Sequence, residues 1–332
     1  MAKDNNRPSQ DHKRKLGNSE LMVTPIGLGN WQFSKRKNLA GKYWPLLSDK
    51  ESYDIVKTSY QNGVNWFDTA EMYGNGESEK TLARALHAAN INDNQVVVAT
   101  KWMPIFRTAR SIESTIDKRQ HALEGYTISL HQIHNPLSLS SIRAQMEAMA
   151  KLMKEQKIRY VGVSNFTASQ MRKAHDALAA HGIRLTSNQV HYNMIHRNIE
   201  YNGVLEAAKD LGIAIIAYSP LAQGILTGKY HDDPKAIHSK KGFRKRIGAF
   251  RQKGLERTHP LIEKLKEIAD SHSATPAQVA LNWLTHFHDG TVFAIPGASN
   301  THQAQSNARS MDLELTEAEM KILDQTSKQI QK

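Results

Sequence analysis

The sequence alternates repeatedly between short apolar runs and longer stretches in which apolar residues recur at helical spacing. The short, β-branched runs predict buried parallel strands, and the stretches between them predict amphipathic helices. Eight such strand–helix units in 332 residues predict an α/β fold, a closed (β/α)8 TIM barrel, with an open doubly wound sheet as the alternative. The predicted strands span residues 25–29, 64–67, 96–100, 128–133, 158–163, 185–190, 214–218 and 292–295.

Several segments lie outside this alternation. Residues 1–14 are polar and charged, which predicts a flexible N-terminal tail and leaves no apolar core for a signal peptide. A Gly-Asn-Ser turn predicts a short hairpin over residues 14–23. An irregular insertion is expected at about residues 222–258, and accessory helices are expected at the C-terminal end. We therefore predict a single barrel domain over residues 15–332.

The composition excludes several kinds of chemistry. The chain has no cysteine, which excludes disulfides, a thiolate nucleophile and cysteine-ligated metals. No run approaches the length of a membrane-spanning helix, so we predict a cytoplasmic protein without a membrane partner. The histidines suggest no metal site, because His131 and His134 point to opposite faces of a predicted strand and because His191 and His196 lack a third ligand.

The positive charge is concentrated in the insertion. The formal net charge is +12, and residues 235–257 contain nine Lys and Arg residues against one acid, Glu256. The rest of the chain is close to balanced, which indicates a local basic patch. The only aromatic residues within the patch are Phe243 and Phe250, whereas single-strand binding surfaces interleave aromatics for base stacking. We therefore predict no nucleic-acid partner.

Four chemically active side chains are predicted to converge on one rim of the barrel. Asp68, Lys101 and His134 end the second, third and fourth predicted strands, and Tyr73 lies on the loop after the second. The carboxyl ends of barrel strands are where this fold carries catalytic residues. Asp68 and Tyr73 alone are equally well explained as a helix cap and a packing residue. Four such side chains at neighbouring strand ends favour a catalytic site.

This combination suits the protonation of an oxygen that becomes negative. A phenol has a pKa near 10, so Tyr73 would be a proton donor at neutral pH. An ammonium group about 4 Å away is worth roughly 4 kcal/mol at an effective dielectric of about 20, so Lys101 is expected to lower the pKa of Tyr73 toward the working pH. Asp68 would hold Lys101 as an ion pair, and His134 would donate a hydrogen bond to a substrate oxygen. These roles predict carbonyl reduction by hydride transfer.

The motifs around these side chains resemble those of the aldo-keto reductases. The matches are collinear and extend from residue 14 to about residue 324. The insertion before the end of the barrel resembles that of the bacterial and potassium-channel-β-subunit branches. The matching motifs are Phe67-Asp68-Thr69-Ala70, Tyr73-Gly74, Thr100-Lys101, Gln132-Ile133-His134, Gly27-Leu28-Gly29-Asn30-Trp31, Gly162-Val163-Ser164-Asn165-Phe166, Tyr218-Ser219-Pro220-Leu221 and Ile295-Pro296-Gly297-Ala298-Ser299.

The resemblance implies a barrel that binds NADP(H) across its C-terminal rim and reduces aldehydes or ketones to alcohols. It implies that Tyr73 is the general acid and that Asp68, Lys101 and His134 support it. It also implies a set of cofactor contacts that runs from the nicotinamide to the adenosine. These residues are Gly29, Asn30, Trp31, Ser164, Asn165, Gln189, Tyr218, Ser219, Pro220, Leu221, Gln223, Gly224, Gly297, Ser299, Gln303 and Asn307.

The resemblance further implies particular contacts with the cofactor. Ser164, Asn165 and Gln189 would hold the nicotinamide carboxamide, and Tyr218 would stack on the nicotinamide ring. The insertion follows the seventh strand, beside the expected pyrophosphate path, and Lys and Arg both bind phosphate. The groups predicted to contact cofactor phosphates and to select NADPH over NADH are Lys240, Lys241, Arg244, Lys245 and Arg246.

The chain departs from the family pattern outside the tetrad. Asn30 stands where Thr is usual, and Ser306 stands where an acid commonly meets the adenine. Ser129 and His131 replace the Asp and Tyr that are common before the catalytic His.

Aromatic residues are expected to line the substrate pocket. Trp31 and Trp102 would flank it, and Phe106 would lie on a rim loop with Pro104 and Ile105. Such a pocket favours flat or apolar carbonyl compounds. The physiological substrate and the oligomeric state are left open by the sequence.

Two alternatives bear on cofactor binding and function. A Rossmann domain needs G-x-G-x-x-G after a strand, and both Gly27-Leu28-Gly29 and Gly74-Asn75-Gly76 lack the third glycine. A cofactor-binding regulatory subunit, with a protein partner and vestigial reductase activity, would keep the same tetrad. It therefore stands as the alternative to a reductase.

Overall fold

The computed structural model describes residues 12–34, 46–233, 235 and 250–331. Ten strands lie in these ranges, two in an N-terminal hairpin and eight in one sheet. The strands are β1 Arg14–Lys15, β2 Met22–Val23, β3 Leu28–Gly29, β4 Trp66–Asp68, β5 Val97–Trp102, β6 Ile128–Ile133, β7 Tyr160–Ser164, β8 Ser187–His191, β9 Ala214–Tyr218 and β10 Val292–Ala294.

The eight strands β3 to β10 form a closed barrel. Each is parallel to its neighbours, and their order in the sheet follows their order in the chain. Parallel bridges between Ile26 and Ala294 and between Gly29 and Gly297 join the first strand segment to the last. The predicted (β/α)8 barrel is therefore confirmed, and the open doubly wound sheet is excluded.

Helices follow the barrel strands and surround them. Their starts are determined locally, because the side chains of Ser48, Ser141, Thr167 and Thr275 each accept a hydrogen bond from a backbone N–H of the first turn. The helices are α1 Asp49–Gln61, α2 Glu77–Ala88, α3 Arg110–Ala122, α4 Ile142–Lys154, α5 Ala168–Ala179, α6 Val204–Leu211, α7 Lys229–Asp232, α8 Gln252–Ser271, α9 Pro276–His286, α10 Thr301–Arg309 and α11 Glu317–Gln329.

The N-terminal hairpin closes the bottom of the barrel and spans the predicted residues 14–23. The guanidinium of Arg14 donates to the carbonyl oxygens of Thr285 at 2.9 Å and Val292 at 2.6 Å. His12 already lies 3.1 Å from a carboxylate oxygen of Asp312. The prediction of a loose tail through residue 14 is thus wrong at its end, because these contacts tie residues 12–14 to the barrel; residues 1–11 lie outside the described ranges.

The described parts of the insertion, residues 222–233 and 250–258, are less irregular than predicted. Helix α8 begins at Gln252, within the expected insertion of residues 222–258, and Pro260 lies inside the helix. The first turns of α8 are held by apolar packing, because Leu255 is buried in a small cluster with Tyr230 and Phe250. A prolyl ring inside a helix costs one backbone hydrogen bond, and burial of this cluster offsets that cost.

Alternation along β4 separates the barrel interior from the outer core. Trp66 packs inside the lower barrel with Leu16 of the hairpin and Phe293 of β10. Phe67 packs in the outer layer between strands and helices. Because side chains alternate along a strand, Asp68 returns to the interior at the carboxyl end. Within the described ranges, no helix has both the length and the apolar character that crossing a membrane requires.

Candidate active site

The barrel brings the four predicted catalytic side chains together at its C-terminal rim. Asp68 is the last residue of β4, Lys101 lies near the end of β5, and His134 directly follows β6. The backbone N–H of His134 donates to the carbonyl oxygen of Trp102 at 2.9 Å, which continues the pairing of β5 and β6. Tyr73 lies on the loop after β4. The predicted convergence of adjacent strand ends is what places these groups side by side.

Asp68 and Lys101 form a buried ion pair with all its polar atoms engaged. Their side chains are 1% and 0% exposed, and Lys101 donates to Asp68 Oδ1 and, at 2.8 Å, to the carbonyl oxygen of Thr69. The second carboxylate oxygen accepts hydrogen bonds from the amides of Gln132 at 3.1 Å and Gln189 at 2.9 Å. A buried charge is tolerated only when it is paired and hydrogen-bonded, so the ion pair holds Lys101 in place.

Tyr73 is surrounded by rings and by the ammonium group of Lys101. The ammonium nitrogen lies 5.2 Å from the Tyr73 ring centroid. Trp31 stacks on the ring at 6.2 Å, and His134 meets its edge at 5.6 Å. Burial raises the pKa of Tyr73, although the charge of Lys101 and a hydrogen bond with it act to lower the value. The expected net lowering by Lys101 is therefore wrong, because desolvation outweighs it; the phenol is protonated at neutral pH.

His134 is neutral in this setting. Burial and the positive charge of Lys101 lower the pKa of His134 to about 3. A neutral imidazole carries one N–H, so His134 is a single hydrogen-bond donor rather than a source of charge. Among the described residues, no group of three or more His, Asp or Glu side chains is arranged to hold a metal ion.

A cavity of about 1440 Å³ extends from these side chains across the rim of the barrel. It is larger than ordinary small-molecule pockets, which have volumes of roughly 300–1,000 Å³. Its lining includes both Tyr73 and Asn307. All sixteen described residues that the sequence analysis assigned to the cofactor line this cavity. Lys240, Arg244 and Arg246 lie outside the described residues, as do Lys241 and Lys245.

The cavity wall carries strained backbone. Asn165, Ser219 and Gln223 have φ values of 60°, 51° and 56° although none is a glycine, and all three line the cavity. A non-glycine residue in the left-handed region costs about 1–3 kcal/mol and persists where surrounding structure holds it, often at functional sites. The strained backbone at these three positions supports the interpretation of this wall as a binding surface that the surrounding structure holds in shape.

Three residues were predicted to form the substrate pocket, and two of them, Trp102 and Phe106, are absent from the described lining of the cavity. Trp31 does line it. Trp102 is 1% exposed and donates from Nε1 to the Ser111 hydroxyl at 3.1 Å. It points outward because it follows Lys101, which points inward, and side chains alternate along a strand. Phe106 is 89% exposed, with a φ of 57°. Its loop directs it into solvent.

Sequence reasoning also missed part of the cavity wall. Lys229 follows Gly228 shortly after the Ser219-Pro220-Leu221 segment, and that position beside the expected pyrophosphate path was a usable signal. Ile295 and Pro296 also carried a signal, because they begin the motif that contains Gly297 and Ser299. The remaining missed positions carry no local signal, because they come together only through the fold. The missed lining residues are Gln32, Leu46, Met72, His191, Thr227, Lys229, Thr275, Ala277, Ile295, Pro296 and His302.

An ionic network lies behind the Tyr73 loop. Glu71, two residues before Tyr73, accepts hydrogen bonds from the backbone N–H of Met103 at 2.6 Å and from Arg119 at 2.6 Å. It also pairs with Arg107. These contacts connect the Tyr73 loop to the loop after β5 and to α3, which restrains the position of the phenol.

Glu79 is the most deeply buried member of this network. Its side chain is fully buried, the Thr100 hydroxyl donates to one carboxyl oxygen at 2.6 Å, and Arg119 Nε lies 2.9 Å from the other. Burial raises the pKa of Glu79 to about 7, although Arg119 and Thr100 act to lower it. Burial therefore outweighs the ion pair, and this carboxyl titrates close to neutrality.

Replacing Glu79 with Gln is expected to flatten the pH dependence of stability. The folded state holds the Glu79 proton more tightly than the unfolded state, so the free energy of unfolding falls as pH rises from about 4.5 to about 7. A pKa difference of this size corresponds to roughly 3 kcal/mol. Urea unfolding at several pH values would measure the slope. Glu77→Gln, in the first turn of the same helix, should keep the wild-type slope, and a wild-type slope in Glu79→Gln would contradict the assignment.

Comparison with known proteins defines the class to which this fold and site belong. The model of the Aldo/keto reductase family matches residues 25–328. The chain belongs to the aldo-keto reductases, a family of oxidoreductases.

Particular relatives span most of the chain. A protein of Mycobacterium tuberculosis named as an uncharacterized oxidoreductase is 37% identical over 294 residues, covering 89% of this chain and 86% of the relative. The chloroplastic pyridoxal reductase of Arabidopsis thaliana is 31% identical over 331 residues, covering 96% and 86% of the two chains.

Solved structures show the same architecture. The glycerol dehydrogenase of Gluconobacter oxydans superposes with a TM-score of 0.79 at 26% identity, covering 96% of this chain and 95% of the other. A thermostable aldo-keto reductase solved with the inhibitor epalrestat gives a TM-score of 0.75 at 25% identity, covering 95% and 99%.

Proposed function

We propose that this aldo-keto reductase reduces aldehydes or ketones to alcohols with NADPH and that Tyr73 is the general acid. The observation that carries the proposal is the position of Tyr73, with its ring 5.2 Å from the ammonium group of Lys101 and 5.6 Å from the ring of neutral His134 at the cavity wall. Burial keeps the phenol protonated. It therefore has a proton for an oxygen that gains negative charge.

The other three side chains prepare this proton transfer. NADPH, when bound, would supply the hydride. Lys101 stabilises the phenolate that Tyr73 becomes after it gives up its proton. Asp68 keeps Lys101 in place, and the amides of Gln132 and Gln189 restrain Asp68. His134 donates a hydrogen bond that orients the carbonyl oxygen toward Tyr73.

The chemistry of the cavity wall suits a dinucleotide. Both amide atoms of Asn30 and the amide oxygen of Gln223 are buried without a hydrogen-bond partner among the described residues, and both side chains line the cavity. Lys229 is the only Lys or Arg among the described lining residues. Its ammonium nitrogen lies 3.3 Å from the position that a Cβ atom would occupy at Gly224. Polar groups and a cation along one wall suit a phosphorylated ligand, so we propose that the sixteen lining residues hold NADP(H).

An assay of NADPH oxidation against a panel of carbonyl compounds would test the activity. The panel should include pyridoxal, because a relative is named pyridoxal reductase, together with aromatic and aliphatic aldehydes and ketones. We expect NADPH-dependent reduction of at least one of them. Tight NADPH binding with no turnover on any of them would instead favour the cofactor-binding regulatory subunit.

Selection of NADPH over NADH is expected to depend on the basic insertion. The change is Lys240, Lys241, Arg244, Lys245 and Arg246 to Ser or Gln. The 2′-phosphate distinguishes NADPH from NADH, and a hydrogen bond to a charged group is worth about 1.5–3 kcal/mol, so NADPH affinity should fall roughly 10- to 100-fold while NADH affinity changes little. Titration with both cofactors measures this. The control changes exposed basic residues on outer helices, Lys118 and Lys173, to Ser. Equal losses for both cofactors would indicate general attraction only.

A further inference from the structure

Two histidines continue the ring stack behind Tyr218. The ring of His191 lies 5.3 Å from that of Tyr218 at an angle of 8°, and the ring of His196 lies 4.1 Å from His191 at 20°. His191 and Tyr218 are paired residues at the ends of β8 and β9, and both line the cavity. Stacked rings at these distances contribute a stabilising free energy in addition to that from the apolar area that they bury.

Asn193 holds this stack together and determines its protonation state. Its amide oxygen accepts hydrogen bonds from the backbone N–H groups of Ile195 and His196, both at 2.9 Å. The amide nitrogen must therefore be the donor toward Ser219, whose carbonyl oxygen is at 3.0 Å, and toward His191 Nε2 at 3.3 Å. A nitrogen that accepts carries no proton. His191 is consequently a neutral imidazole with its proton on Nδ1.

The surroundings also favour the neutral form of both imidazoles. Burial and the neighbouring His196 lower the pKa of His191 to about 4, and burial lowers the pKa of His196. No carboxylate pairs with either ring in the part of the chain that the structure describes. The nearest cation along the chain, Arg197, is paired with Glu200 and Asp324.

The turn that follows β8, which carries Asn193 and His196, is apolar on its outer side. Ile195 packs against the cluster that contains Tyr230 and Leu255. On the other side of the stack, the Tyr218 hydroxyl donates to Asn165 Oδ1 at 3.1 Å. The ring of Tyr218 is thus held at its hydroxyl by Asn165 and on one face by His191. It also packs against the apolar cluster inside the barrel, and it lines the cavity.

We propose that His191 and His196 are positioning residues that keep the Tyr218 ring oriented for stacking on the cofactor's nicotinamide, and that they do so only while both are neutral. The proposal rests on the proposed function, in which Tyr218 is one of the residues that hold NADP(H), and on the stacking of Tyr218 on the nicotinamide ring that the family resemblance implies. A proton on His191 Nε2 would face the Asn193 amide donor, so the hydrogen bond would be lost. A second charge on His196 would add like-charge repulsion across 4.1 Å.

Two ligands distinguish the contribution of the nicotinamide to binding from that of the rest of the cofactor. NADP+ carries it and is stable in acid, whereas 2′-phospho-ADP-ribose has the same adenosine and phosphate groups without it. His191→Ala and His196→Ala should each weaken NADP+ binding roughly 2- to 13-fold, the equivalent of one aromatic pair, and leave 2′-phospho-ADP-ribose binding unchanged. His87→Ala is the matched control, because it removes a His ring 4.8 Å from Tyr126 outside the lining of the cavity. It should change neither affinity.

The pH dependence provides the readout that a purely structural role would not move. The quantity to follow is the affinity for NADP+ divided by the affinity for 2′-phospho-ADP-ribose. Both ligands carry the same phosphates, so titration of the phosphates cancels in this ratio. In the wild type it should fall as pH drops toward about 4, the folded-state pKa of His191. The double variant His191→Phe/His196→Phe keeps an aromatic ring at each position but removes both imidazoles, the groups of the stack that titrate in acid, so its ratio should stay flat.

The outcomes distinguish the positioning role from the proposed function. Wild-type NADP+ affinity in both Ala variants, or equal losses of NADP+ and 2′-phospho-ADP-ribose, would overturn the positioning role. A flat wild-type ratio, or an equal fall in the double Phe variant, would overturn the requirement for neutral rings. Failure of the wild-type protein to bind NADP+ would reject the proposed function itself.

Discussion

Replacing Tyr73 with Phe is expected to lower the turnover number about 100- to 10,000-fold, the range that general acid catalysis contributes. The variant keeps the ring, and with it the contacts to Trp31 and His134. It loses only the hydroxyl that burial keeps protonated. NADPH affinity should therefore stay nearly unchanged, and steady-state kinetics combined with cofactor titration would measure both quantities.

A matched control excludes a general effect of removing a tyrosine hydroxyl. Tyr201 is 63% exposed and lies outside the lining of the cavity, so Tyr201→Phe should keep full turnover. If Tyr73→Phe retained most of the wild-type turnover, Tyr73 would not be the acid. A loss of NADPH binding in Tyr73→Phe would mean instead that the phenol supports the cofactor site.

Lys101→Met is expected to lower both activity and stability. Among the described residues, the variant leaves the buried Asp68 carboxylate with the amides of Gln132 and Gln189 as its donors. Removing one partner of a buried ion pair typically costs about 3–5 kcal/mol, so the free energy of unfolding should fall by about that amount. Turnover should also fall, because the phenolate loses its stabilising charge. Urea unfolding and steady-state kinetics measure the two effects.

The pH dependence of this variant has a defined sign. Asp68 and Tyr73 raise the pKa of Lys101 despite its burial. The stabilisation from the charged Lys101 is therefore fully present below the unfolded value of about 10.4 and is lost as pH rises through the folded value. The stability difference between the wild type and Lys101→Met should therefore shrink as pH rises through that alkaline range. Residual activity should extend to higher pH, because Lys101 no longer acts to lower the pKa of Tyr73.

A double variant separates stability from catalysis. Asp68→Asn/Lys101→Met removes both charges, so no charge is left buried alone and much of the lost stability should return. Activity should stay low in the double variant. Lys118→Met, at an exposed position of α3, is the control for removal of a lysine. Recovery of activity in the double variant, or wild-type stability in Lys101→Met, would contradict the role of the pair.

The sequence by itself determined the fold class and the four side chains that meet at the candidate site. Hydrophobic alternation is a local property, and it located the eight barrel strands, at whose rim Asp68, Lys101, Tyr73 and His134 meet. The match of residues 25–328 to the aldo-keto reductases agrees with the motif-based resemblance. Local capping chemistry likewise determines where α5 begins, because the Thr167 side chain accepts a hydrogen bond from the backbone N–H of Gln170.

Only the tertiary structure decided how those side chains behave. The pKa of Tyr73 depends on burial by neighbours from several strands, which no local pattern reports, so burial prevailed over the charge of Lys101. Gln189 reaches Asp68 across 121 positions of sequence, and Arg119 reaches Glu71 across 48. The stack of Tyr218 on two histidines likewise joins residues from β8, its following turn and β9. Such contacts arise from the closure of the barrel, and desolvation and electrostatic effects follow from them.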